Sequence, residues 1–114
     1  MKDCPFCRIW NGQAPAPKEL EKRGRDWMVF EPLHPVTPGH LLLVPGEHAE
    51  FLWDLTPDAL NRLVAGVAHV AAYEGNDCNI IQSNGVSATQ TVPHVHFHII
   101  PRRVNDGLRL PWSK

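Results

Sequence analysis

The chain has 114 residues, of which 43% are hydrophobic and 20% charged, and its net charge is −1. This is enough for one domain, 1–114, with its own core, and it excludes disorder over most of the length. With no block of like charges, no apolar run near the roughly 20 residues that span a bilayer and no apolar signal core in MKDCPFCRIW, the expectation is a cytoplasmic protein that binds neither nucleic acid nor membrane.

Residues 4 to 11 read as a short helix stopped by Gly12 and the Pro15/Pro17 stretch. The helix carries Cys4 and Cys7 as a C-x-x-C pair. The three cysteines are an odd count, which argues against a disulfide framework. In a reducing compartment the pair is a metal half-site, a redox motif or simple helix packing. Lys18 to Arg23 and Trp27 to Glu31 read as extended segments around Gly24, a hairpin. PLHPVTPGH, residues 32 to 40, must be a loop, and it delivers the chain into the compact strand HLLLVP, which ends at Pro45.

The main helix begins at Thr56, which suits an N-cap, with Pro57 in the first helical position and Asp58 at the positive end of the dipole. Leu60, Leu63, Val64, Val67 and Ala71 fall along one face, His69 lies off it as a solvated or boundary residue, and Gly75 sits where a left-handed residue ends the helix. Asp77 to Asn84 reads as a strand in which Cys78 is a small buried hydrophobe. Gly85 to Pro93 reads as a polar loop and His94 to Pro101 as a final strand. The order helix, strands, helix, strands favours an α+β fold with an antiparallel sheet.

On a strand, His94, His96 and His98 share one face about 6.5 to 7 Å apart, while Val95, Phe97 and Ile99 pack the other. Desolvating three adjacent imidazoles is costly without a purpose. Two kinds of chemistry compete for them: metal ligation through H-x-H, and nucleophilic attack on phosphorus by an unprotonated ring nitrogen. A nucleophile's other nitrogen must carry its proton and donate it to an acceptor. Upstream, SNGVSATQTVPHVH supplies neutral donors at Ser83, Asn84, Ser87, Thr89, Gln90 and Thr91, with Gly85 allowing close backbone approach to a phosphate.

QTVPHVHFHIIPR resembles the H-φ-H-φ-H-φ-φ signature of the histidine triad superfamily of nucleotide hydrolases and transferases. The likeness extends to CPFCRI, to PVTPGHLLLVPxxH and to SNG…QTV, in family order from Cys4 to Arg103. The chain looks most like the Hint or Hit nucleotide-binding branch, with the fragile-histidine-triad branch next. The resemblance implies a histidine-triad fold with an antiparallel sheet of about five strands, one main helix and a short N-terminal helix. It also implies a homodimer with the two sheets joined across a shared face.

Carried over residue by residue, the resemblance makes His96 the nucleophile towards the α-phosphorus and places His98 on the phosphate or leaving group. His40 would support the nucleophile through hydrogen bonding. Asn84, Gln90 and Thr91 would touch the phosphate and departing group, and Phe30 and Leu33, with Phe6 and Ile9, would wall a nucleobase. Cys4, Cys7, His48 and His94 would hold a structural zinc. The implied activity is hydrolysis of nucleoside 5′-phosphoramidates or related derivatives of a purine nucleotide. The alternatives are a dinucleoside polyphosphate hydrolase, a nucleotide-binding regulatory protein with incidental activity and a zinc hydrolase whose catalytic ligands are the triad. In one respect the chain departs from the pattern: relatives commonly carry a ribose-binding aspartate where FEPLHP has Pro32. The adjacent Glu31 would point the other way on a strand, and His34, if not a rim residue, is a substitute contact.

Overall fold

The computed structural model describes residues 3–16, 22–23 and 25–113. Helix α1 spans Pro5–Trp10 and helix α2 Pro57–Glu74. The strands are β1 (Lys22–Arg23), β2 (Trp27–Phe30), β3 (Leu41–Pro45), β4 (Cys78–Gln82) and β5 (Phe97–Pro101). They form one five-stranded sheet in the order β1-β2-β3-β5-β4, with every neighbouring pair antiparallel. The expected α+β fold is therefore present. The expected hairpin is present as β1 and β2, whereas its Lys18–Glu21 portion and Gly24 lie outside the described residues.

Strand β3 explains the layering. All five of its residues are buried, because successive side chains leave on opposite sides and both sides are covered. Leu41 and Leu43 join Val29, Val95 and Ile99 beneath α2. Leu42 and Val44 join Met28 and Phe30 against Phe6 and the two cysteines of the α1 segment. The sheet thus divides two apolar clusters, and the histidines lie on the α1 side, with His98 paired in register to Leu42.

The caps of α2 are as the sequence indicates. Thr56 accepts the Ala59 N–H at 3.2 Å, and Gly75 closes the helix at φ 72° with its N–H on the Ala71 carbonyl. The buried face is rotated from the expected stripe, running through Leu63, Gly66, Val67 and Val70, while Val64 is 49% exposed. The reason is Gly66: the Trp27 indole occupies the space a Cβ would need there, so a residue with no side chain sits at the centre of the contact. His69 is exposed, and Cys78 is half-buried rather than buried, on an edge strand.

The last strand starts at Phe97, not His94. Pro93 has no N–H for a ladder, the His94 N–H turns back to the Val92 carbonyl at 2.8 Å, and the Val95 N–H bonds the Ala49 carbonyl at 2.8 Å. Of the three alternating histidines only His98 belongs to the sheet. Among the described residues no helix is long and apolar enough to cross a membrane.

Two substitutions test this packing. Thr56→Ala should lower the unfolding free energy by about 1 kcal/mol. Gly66→Val, which forces a branched side chain against the Trp27 indole, should lower it by about 1–3 kcal/mol. Chemical denaturation should show both as shifted midpoints with unchanged slopes.

Candidate active site and metal centre

Cys4 caps α1, accepting the Cys7 N–H on its sulfur at 3.4 Å, and Pro5 supplies the first helical residue. One turn of helix therefore aims both thiols the same way. They meet His48, just after β3, and His94, just before β5. The Cys4 Sγ lies 3.3 Å from His94 Nδ1, the Cys7 Sγ 3.2 Å from His48 Nδ1, and the two Nδ1 atoms 3.1 Å apart. All four ligand atoms fall within 4.8 Å of one another.

A tetrahedral ion bound at about 2.3 Å to sulfur and about 2.0 Å to nitrogen holds its ligand atoms roughly 3.3–3.8 Å apart. Four of the six separations in the cluster, from 3.1 to 3.5 Å, match those dimensions to within a few tenths of an ångström. His94 Nε2 donates to the Pro45 carbonyl at 2.9 Å, which leaves Nδ1 with a lone pair facing the thiols. Burial and the neighbouring Cys4 push the Cys7 thiol up to about 11, so a bound cation would have to displace its proton. The donor set fits a closed metal site.

The neighbouring rings have a different arrangement. His96 Nδ1 donates to the His94 carbonyl at 2.8 Å, so its Nε2 keeps the lone pair. The edge of Phe6 packs against this ring at a centroid distance of 5.2 Å, and Phe30 packs behind Phe6 at 5.9 Å. His40 Nδ1 accepts the Val36 N–H at 3.1 Å, so its proton is on Nε2. That proton is donated to His98 Nδ1 at 2.9 Å, which places the His98 proton on Nε2. The expected hydrogen bond from His40 thus reaches His98, which in turn stacks edge-on with His96 at 5.2 Å. Burial lowers the pKa of all four rings, His94 and His98 to about 4, so they are neutral at neutral pH.

The polar loop is braced by the residues expected to touch phosphate. Asn84 Oδ1 accepts from the Leu52 N–H at 2.8 Å and from Gln82, and its Nδ2 donates to Gln82 Oε1 at 2.7 Å. Gln90 accepts the Gly85 N–H at 2.7 Å and donates to the Glu50 carbonyl at 2.6 Å. Each amide nitrogen carries two hydrogens and uses one, so each retains a donor. Thr91 is exposed beside them. The proposed base wall is split: Phe30 and Phe6 are buried, Ile9 is half-buried, and Leu33 is 66% exposed. His34 is exposed in the proline-rich loop, where Pro32 offers no carboxylate.

Sequence reasoning missed the main-chain partners that sort the rings, namely the accepting carbonyls of His94 and Pro45 and the donating N–H of Val36. Main-chain groups have no letter of their own. It also missed Gln82, whose paired hydrogen bonds with Asn84 had no signal beyond position at the end of a strand.

The HIT domain model matches residues 19–105. An uncharacterized HIT-like protein of Methanocaldococcus jannaschii is 40% identical, covering 91% of this chain and 82% of its own. The adenosine 5′-monophosphoramidase of Schizosaccharomyces pombe is 35% identical, over 96% of this chain and 82% of that enzyme. A solved Zn-bound histidine triad family protein from Mycobacterium smegmatis superimposes with a TM-score of 0.78 at 35% identity, covering 96% of this chain and 81% of that one. With the histidine cluster, the sheet order and a family match over most of its length in agreement, this chain belongs to the HIT domain family.

Proposed function

We propose that this chain, acting as one domain, hydrolyses nucleoside 5′-phosphoramidates or related nucleoside monophosphate derivatives, with a purine nucleotide as the bound portion. The observation that carries the reading is the hydrogen bond from His96 Nδ1 to the His94 carbonyl. It fixes the one tautomer whose Nε2 can attack, on a ring held neutral by burial. Nε2 bonds to the α-phosphorus, the bond to the leaving group breaks, and the leaving group departs with the electron pair and takes up a proton. Water then attacks the nucleotidyl-histidine, releasing a nucleoside monophosphate and restoring His96.

The other residues follow from their placement. His98 Nε2–H points a donor at the phosphate or leaving group, and His40 holds His98 in that tautomer. Asn84 and Gln90 brace the loop and offer their remaining amide hydrogens to phosphate oxygens, with Thr91 alongside. Phe6 and Ile9 line the base side, Phe30 supports Phe6 from behind, and Leu33 closes the rim. The monophosphoramidase activity named for the fission-yeast relative supports this choice of substrate.

Zinc is the ion that the two thiolates and two imidazoles of Cys4, Cys7, His48 and His94 suit best, in a structural role with no open position. The Zn-bound relative supports the assignment. Three free cysteines accord with a reducing compartment, hence the cytoplasm. Homodimerisation through the sheet is supported by β4, an edge strand on which Ile80 is 45% exposed.

His96→Gly should reduce turnover by about three orders of magnitude or more while nucleotide binding and the thermal midpoint persist. A nucleotidyl adduct should appear by mass spectrometry in wild-type single turnovers, and hydrolysis retained by the variant would sink the mechanism. For the metal, elemental analysis should find one zinc per chain, and Cys7→Ser should lose it. Chelation should lower the thermal midpoint before activity falls; immediate loss of activity at constant stability would instead mark a catalytic ion.

A further inference from the structure

Beyond β5 the chain folds into a loop built on Asp106. Its carboxylate accepts from Arg102 Nε and Nη2, at 2.8 and 3.1 Å, and from the N–H groups of Arg103 and Leu108, both at 3.0 Å. Arg102 also donates to Asn79 and to the Leu108 carbonyl. The Arg102–Asp106 pair is thus a closed, neutral strut. Asn105 and Gly107, at φ 61° and 80°, bend the chain around it into a cup.

The cup forms an open depression of about 520 Å³ lined by Arg103, Arg109 and Ser113 together with the strut. That volume lies within the roughly 300–1,000 Å³ of small-ligand sites. With Asp106 already committed to Arg102, the walls carry two uncompensated guanidinium groups. Arg103 makes one long hydrogen bond, 3.3 Å, to Thr37 Oγ1, and Arg109 makes none among the described residues. Planar guanidinium groups with spare donors on a concave wall suit phosphate oxygens.

The position ties the depression to the histidines. Thr37, which Arg103 touches, accepts the His40 N–H at 3.1 Å on its carbonyl, and His40 bonds His98. Arg103 is therefore linked by hydrogen bonds, through Thr37 and His40, to His98 rather than to the metal ligands. We infer that the depression is a second anion site, binding a phosphate chain through Arg103 and Arg109 on the leaving-group side of the histidines. Its placement on that side rests on the proposed hydrolase reading, whereas the anion binding does not.

The test uses inorganic tripolyphosphate as the probe, titrated calorimetrically into the whole protein with saturating nucleoside 5′-monophosphate present to fill the histidine site. Wild type should bind it, and Arg109→Ala and Arg103→Ala should each weaken binding about tenfold, with Arg103→Lys intermediate. Unchanged affinity in both alanine variants, or no binding by wild type, overturns the site. A second measurement tests its placement, as the ratio of kcat/KM for a substrate with a phosphorylated leaving group to that for a phosphoramidate. The ratio should fall about tenfold in Arg109→Ala, and an equal fall for both substrates overturns the leaving-group assignment. If no substrate is turned over by wild type, the hydrolase reading fails while the calorimetric result still decides the anion site.

Discussion

His94 is the residue on which the arrangement depends, because each of its polar groups is committed to a different neighbour. Nδ1 faces the two thiols and His48, Nε2–H is held by the Pro45 carbonyl, and its own carbonyl holds the His96 ring. The side chain is completely buried, so none of these groups has water as a substitute partner. A buried polar group deprived of its partner costs about 1–3 kcal/mol, and here three such losses would coincide at one residue. The candidate metal centre and the proposed nucleophile are thereby joined through the ring and main chain of a single residue. Anchoring of the N-terminal helix and orientation of the His96 ring are the same constraint seen from two sides.

Burial gives the four clustered rings a common protonation state, and hydrogen bonding then gives them different tasks. Desolvation lowers the pKa of His40, His94, His96 and His98 alike. Neutral imidazole is what a metal ligand and a nucleophile need, and it is also what lets His40 and His98 pass a donor along a chain. Four charged rings at these separations would repel one another strongly in a poorly solvated site. The tautomers then alternate, with the proton on Nε2 in His94, on Nδ1 in His96 and on Nε2 in His98. Each is dictated by a partner outside the three alternating histidines or by a main-chain carbonyl.

What was legible in the sequence had local causes. Thr56, Pro57 and Gly75 mark the ends of α2 because caps act within one turn, and the apolar run at Leu41–Pro45 marks a strand buried on both faces. The C-x-x-C pair was legible as a half-site, but its completion by His48 and His94 came from family resemblance, since nothing local joins residues so far apart in the chain. Less legible were features that depend on groups without side chains. Gly66 sits at the centre of the α2 contact because a tryptophan fills the place of its missing side chain, and periodicity gives glycine no weight there. Asn84 and Gln90 read as phosphate donors, and most of their hydrogen bonding proves to be with the loops they hold.

The misplaced start of β5 follows from the same limit and bears most directly on the chemistry. Alternation from His94 to Ile100 suits a strand, yet the ladder begins only at Phe97. Within an antiparallel ladder, the carbonyl of His94 would face a neighbouring strand or the outside of the sheet according to register, and the His96 ring would stand perpendicular to it. Ending the ladder one residue after His96 lets Pro93 and the turn at His94 bring that carbonyl under the ring. His98, inside the ladder opposite Leu42, gains rigidity, while His96, just outside it, gains an acceptor. The alternating spacing gives the rings their common neighbourhood, and the break in the strand separates their hydrogen-bond partners.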